Sequence, residues 1–221
     1  MKERNTVSPV REESSSSQNV KLYIASITER GSSGEGFTVR LSDGSSFFVS
    51  STFFERHGFA EGMVLEENEM DILEEEEQRV LALRKAGDLL SRAEQSSGGL
   101  FLKLKKKGFS DAVCRQAVDR VVELGLLDDE RFATFWLESR LRQHPEGRNI
   151  LYQGLLARGV AAESAKEALS RVVKEDVMLQ AVLKAGSKLS RRYGSDEGKL
   201  RRALLRRGFS QGEIRYFFEH N

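Results

Sequence analysis

The chain has 221 residues, 31% charged and 39% hydrophobic, with 2 prolines, 19 glycines and a single cysteine, Cys114, which suits one or two ordinary soluble domains. One cysteine excludes an internal disulfide framework and a zinc site of several thiolates, and no apolar run approaches the roughly 20 residues that cross a bilayer. The net charge of +1 hides an asymmetry: residues 1–77 hold 7 Lys and Arg against 16 Asp and Glu, and residues 78–221 hold 28 against 18, so the second region can meet a polyanion or an acidic protein surface.

Residues 1–18 are polar, include four consecutive serines (Ser14–Ser17) and lack a hydrophobic signal core; they are expected to be a disordered tail of a cytoplasmic protein. A small β-rich domain is expected over 19–73. Residues 20–28 alternate apolar and polar side chains as a strand does. Phe37–Leu41 and Phe47–Val49 flank Ser42-Asp43-Gly44-Ser45, a hairpin signal in which Asp43 and Gly44 both take positive φ. Gly31–Gly36 reads as a looser connection, and Phe53–Phe59 as a short helix. Eight of the twelve residues Glu66–Glu77 are acidic; they read as a solvated linker leading into a helix start, where negative charge meets exposed amides.

From about residue 78 the sequence repeats itself. Leu100 and Leu104 precede Gly108 as Leu151 and Leu155 precede Gly159 and Leu200 and Leu204 precede Gly208, at offsets of 51 and 49 residues. Lys85-Ala86-Gly87 likewise matches Lys184-Ala185-Gly186. A period of this length marks a helical array. The fold expected is therefore mainly α: three tandem three-helix repeats (74–126, 127–174 and 175–221) in an elongated curved array. In repeat 1 the helices are predicted over 76–91, with Val80, Leu83 and Leu90 on one stripe, then over 97–107, and then from Ser110 with Val113, Ala117, Val118 and Val121 buried. Gly108 and Gly125 end helices, Ser110 starts one, and Ser210 with Glu213 has the spacing of a capping box. In repeat 2 an aspartate of Leu127-Asp128-Asp129-Glu130-Arg131-Phe132-Ala133 caps the first helix. Phe132, Phe135 and Trp136 form an aromatic stripe read as the packing centre of the array.

Groups for chemistry are sparse. His57, His144 and His220 have no partner at metal-ligand spacing. The glycines of 31–36 lack the strand–turn–helix context of a nucleotide loop. Cys114 aligns with Ala165 and Ile214 and reads as a buried, inert thiol. No catalytic residue, metal or cofactor is expected. The cations are more informative. Lys103, Lys105, Lys106 and Lys107 cluster at one helix end, and Arg191, Arg192, Arg201, Arg202, Arg206 and Arg207 cluster in repeat 3. One or two cations satisfy a helix C-terminus, at about 0.3–1 kcal/mol each; six exceed that need and point to a partner.

Several of these segments together resemble the RecX regulatory proteins, modulators of the RecA recombinase. Leu127–Ala133 is similar to that family's central motif. Lys103-Leu104-Lys105-Lys106-Lys107-Gly108-Phe109, after Arg92 and Ser96, is similar to its first repeat. Gly147-Arg148 with Leu155-Leu156-Ala157-Arg158-Gly159-Val160 is similar to its second. The resemblance covers about residues 76–221, and the N-terminal β region resembles extensions of some members. Gly98-Gly99 and Gln95 depart from the pattern, and the glycines weaken the start of that helix. The resemblance implies a helical-repeat protein in the groove of the RecA–DNA filament; a monomer without enzymatic activity is expected. It would limit filament growth or persistence, and so ATP hydrolysis, strand exchange and the coprotease activity behind the SOS response. Arg148, Arg158 and Tyr152 then join the filament- or DNA-facing set, while Leu127, Asp128, Asp129, Arg131, Phe132 and Trp136 form the structural motif. The alternative is a helix-turn-helix-like transcription regulator. It requires preference for one duplex sequence, and the helices carry few side chains suited to reading base edges.

Overall fold

The computed structural model describes residues 21–30, 36–194 and 196–221. The expected tail over 1–18, the start of the first predicted strand at Val20 and nearly all of the 31–36 connection lie outside the described residues. The chain divides into two compact units, one ending at Glu74 and the other spanning Glu75–Asn221.

The first unit holds an antiparallel sheet in the order β1 (Ile24–Arg30), β2 (Gly36–Leu41), β3 (Ser46–Ser50). The hairpin between β2 and β3 pairs Val39 with Phe47 and Phe37 with Val49. Its turn differs from the expectation in one respect: Gly44 alone takes positive φ, at 91°. Asp43 instead accepts from the Ser45 amide (2.9 Å) and hydroxyl (2.6 Å), and the Leu41 amide donates to the Ser45 carbonyl at 2.8 Å. A three-residue loop, closed by backbone bonds on Leu41 and braced by the Asp43 side chain, thus replaces a two-residue turn. Helix α1 (Ser51–His57) follows, capped by Ser50. Ile24, Val39, Leu41, Phe47, Val49, Phe59, Leu65 and Leu73 form the core of this unit.

Helix α2 runs Glu67–Leu90, so the acidic segment is helix rather than linker. Glutamate is a good helix former, nothing in 66–77 breaks a helix, and Glu69 reaches back to accept from the Glu66 amide at 2.8 Å. Farther along α2 the buried positions are Ala82 and Ala86, with Leu83, Leu89 and Leu90 partly buried beside them. Small residues, rather than the predicted stripe, mark the line of closest approach.

The three repeats continue with α3 (Ser97–Lys105) and α4 (Asp111–Glu123) in repeat 1. Repeat 2 holds α5 (Asp129–Gln143), α6 (Arg148–Leu156) and α7 (Ala162–Val172). Repeat 3 holds α8 (Glu175–Tyr193), α9 (Glu197–Arg206) and α10 (Gln211–Glu219). Each paired leucine is buried: Leu100 and Leu104 in one core with Val113, Cys114, Ala117, Val118 and Val121, and Leu151, Leu155, Leu200 and Leu204 in a second core that repeats 2 and 3 share. Gly108, Gly159 and Gly208 follow the middle helices with φ of 96°, 81° and 79°. The Ser210–Glu213 capping box is present, with bonds of 2.7 and 3.2 Å.

The aromatic stripe requires correction. Phe135 is 60% exposed. The buried line of α5 is Ala133 and Leu137, with Phe132 and Trp136 packed at its margins. Phe135, two residues from Ala133 and from Leu137, sits about 200° around the helix from each.

Candidate functional site

The repeats are joined by a contact that recurs at the helix ends where the cations lie. Between repeats 1 and 2, the Ser96 hydroxyl, which caps α3 by accepting from the Gly99 amide at 3.0 Å, donates to the Arg158 carbonyl. Gly98 lies directly on the Gly159 turn, where an added Cβ would stand 2.5 Å from the Gly159 carbonyl oxygen. Between repeats 2 and 3, the Gly147 amide donates to the Arg207 carbonyl at 2.7 Å, and a Cβ on Gly147 would overlap the Gly208 carbonyl. Ser96 and Gly147 are 51 residues apart, Arg158 and Arg207 are 49 apart, and both offsets are those of the repeat. Each joint therefore seats the start of one middle helix on the glycine turn that ends the next. Gly98-Gly99, read from sequence as a weak helix start, is what allows the close approach.

The Leu127–Ala133 segment completes the first joint. Leu127 is buried in the core of repeat 1. Asp128 caps α5 by accepting from the amides of Glu130 (2.8 Å) and Arg131 (3.0 Å). Asp129 turns to the neighbouring repeat and accepts from the Ser97 amide at 2.7 Å. Glu130 pairs with Arg171. Arg131 grips Glu94 with two bonds, at 3.0 and 3.3 Å, and the Glu94 carboxylate raises the guanidinium pKa further. Three adjacent carboxylates thus serve three separate partners, and among the described residues no group of three or more His, Cys, Asp or Glu is arranged to hold a metal ion.

The candidate cations divide by how firmly they are held. Lys103 donates to the Gln95 amide oxygen at 2.6 Å. Lys105 pairs with Asp111 at 2.8 Å, a bond that holds the Asp111 carboxyl below its usual range. Arg148 donates to the Val173 carbonyl at the end of α7, within repeat 2. Arg158 lies over the Trp136 ring at 4.5 Å and donates to the Gly154 carbonyl at 2.8 Å. Arg201 lies over Phe218 at 4.5 Å, and Arg192 over Tyr193 at 5.5 Å. Tyr152 is partly buried against the shared core.

Among the described residues, Lys106, Lys107, Arg191, Arg192, Arg201, Arg202, Arg206 and Arg207 form no ion pair within 4.0 Å. Repeat 3 brings six of its seven arginines onto two packed helices: Arg191 and Arg192 in the last turn of α8, and the other four on α9 and its cap. The stacking of Arg158 and Arg201 on aromatic rings was not legible in the chain. One signal was present for Arg158, because a glycine, Gly154, stands inside α6 four residues earlier, and a Cβ there would overlap the Trp136 ring.

Comparison with known proteins places this architecture. Residues 82–120 match the family profile described as RecX, first three-helix domain, and residues 128–169 match that described as RecX, second three-helix domain. The regulatory protein RecX of Treponema pallidum (strain Nichols) is 37% identical over 127 residues, which cover 58% of this chain and 77% of the relative. The chain belongs to the RecX family of regulatory proteins. Its Mycobacterium leprae (strain Br4923) relative is 32% identical over 145 residues, 63% of this chain and 82% of the relative. The Bacillus subtilis (strain 168) relative is 26% identical over 194 residues, 85% and 73% respectively. A crystal structure of a regulatory protein RecX shares the fold at a TM-score of 0.74 and 20% identity, covering 90% of this chain and all of that one. Among the described residues no helix is long and apolar enough to cross a membrane.

Proposed function

We propose that the chain binds the RecA filament on DNA and restrains its ATPase, strand-exchange and coprotease activities, acting as a cytoplasmic, monomeric, non-catalytic regulator in DNA repair and the SOS response. The observation that carries this reading is the recurring joint. Ser96–Arg158 and Gly147–Arg207 tie successive repeats at equivalent positions, through a hydroxyl in one joint and a backbone amide in the other, so the cation-bearing helix ends recur along the array. A partner that is itself periodic, such as a nucleoprotein filament, can meet such a series at several points together. The six clustered arginines of repeat 3 form no ion pair within 4.0 Å among the described residues, and that supports the same reading.

The test is a RecA ATPase and strand-exchange assay on single-stranded DNA with substoichiometric amounts of the chain. Inhibition is the expected result, and full activity at molar excess would refute the proposal. Charge reversal of Arg201, Arg202, Arg206 and Arg207 together is expected to abolish inhibition while the far-ultraviolet circular dichroism stays that of a folded helical protein. Tight preference for one duplex sequence in the absence of RecA would favour a transcription regulator instead.

A further inference from the structure

Arg158 differs from every other candidate cation because it is fixed at both ends. Its carbonyl is held across the repeat joint by the Ser96 hydroxyl. Its guanidinium lies on the Trp136 ring at 4.5 Å, and Nη1 donates to the Gly154 carbonyl at 2.8 Å. The side chain is nonetheless exposed, and four of the five guanidinium N–H donors have no bond among the described residues. The aligned residues of repeats 1 and 3, Lys107 and Arg207, carry no ring stack. A cation already ordered in the free protein loses little side-chain entropy on binding, and a planar fork held in one orientation suits a bidentate carboxylate.

The ring beneath Arg158 favours a protein partner over a phosphate backbone. Arginine and tryptophan are the residue types enriched at protein–protein hot spots, and here the one is stacked on the other, whereas sequence-independent phosphate binding is dominated by net charge and counterion release and has no need of an ordered guanidinium. We infer that Arg158 is the anchor of the partner interface, gripping a carboxylate on an acidic protein surface, and that Trp136 is the residue that positions it. The inference rests on the functional reading above and specifies which group of the partner is recognised and by which side chain.

The experiment uses the full chain against RecA filaments assembled on immobilised single-stranded DNA, with bare single-stranded oligonucleotide as the second surface. Arg158→Lys keeps the charge but loses the fork, and is expected to raise the dissociation rate from filaments about tenfold or more, with unchanged melting temperature. Trp136→Leu is expected to act in the same direction and Trp136→Phe to restore most of the loss, since a ring face remains. Lys106→Gln with Lys107→Gln is expected to lower the association rate and the salt dependence instead. Trp136 is the only tryptophan, so its emission reports the stack directly: it is expected to shift on filament binding by the wild type, and not in Arg158→Ala. Wild-type binding with an unaltered rate for Arg158→Lys would overturn this inference alone. Equal losses by Arg158→Lys on bare oligonucleotide and on filament would assign Arg158 to phosphate and overturn it as well. Absence of wild-type binding to the filament would remove the functional reading, and this inference with it.

Discussion

Asp128, Asp129 and Glu130 are consecutive in sequence, yet one caps its own helix, one caps the helix of the preceding repeat and one pairs with α7. Asp128 accepts from two helix-start amides, so Asp128→Ala is expected to cost about 1 kcal/mol in chemical denaturation, and Asp128→Asn much less because asparagine caps equally well. Two other aspartates make the stability depend on pH. Asp111 is held below its usual range chiefly by the hydrogen bond from Lys105, and Asp196 chiefly by the backbone amide of Lys199 and then by its side chain. A carboxylate whose folded value is depressed stabilises the fold above its unfolded value, and that contribution is lost as pH falls through the folded one. The melting temperature, followed by calorimetry, is therefore expected to hold from neutrality down and to fall below about pH 4. The fall should be shallower in the Asp111→Asn, Asp196→Asn double variant.

At the scale of elements, Gly87 and Gly186 occupy the same place in a matching Lys-Ala-Gly triplet, and the sequence offers no ground for telling them apart. A Cβ on Gly87 would meet nothing within 4 Å, whereas one on Gly186 would overlap the Phe217 ring. Gly87→Ala is expected to stabilise the protein by about 0.5–1 kcal/mol, through helix propensity and a less flexible unfolded chain. Gly186→Ala is expected to destabilise it by about 1–3 kcal/mol through overpacking. Thermal melts of the two single variants check both signs. The contrast also marks what was legible in the chain. Local chemistry was: the glycine helix stops, the Ser110 and Asp128 caps, the Ser210–Glu213 box, and the buried side of α4 at Val113, Ala117, Val118 and Val121 all follow from neighbouring residues. Contacts between elements were not. That Phe135 faces outward depends on which line of α5 meets α7, and that Gly98 is required depends on a turn 61 residues away at Gly159. The clustered cations were found by counting charge and Arg158 by resemblance, and neither route distinguishes Arg158, fixed on a ring, from Lys106, which forms no ion pair among the described residues.

For the molecule as a whole, the joints matter more than the number of cations. When a series of binding points meets a periodic partner, each point after the first acts at an effective concentration set by how well its spacing matches the partner. Gly147 carries this spacing between repeats 2 and 3, since its amide holds the Arg207 carbonyl and its missing side chain admits Gly208. A double-mutant cycle isolates the effect. Neutralising Arg202 and Arg206 to Gln in the wild-type background is expected to weaken filament binding at physiological salt by about tenfold and to reduce its salt dependence. In a Gly147→Ala background, at a temperature where that variant remains folded, the same two substitutions are expected to change affinity little, because the cluster no longer falls in step with the partner. Equal losses in the two backgrounds would show that the arginines act as independent points of charge, and that the regularity of the joints contributes nothing to binding.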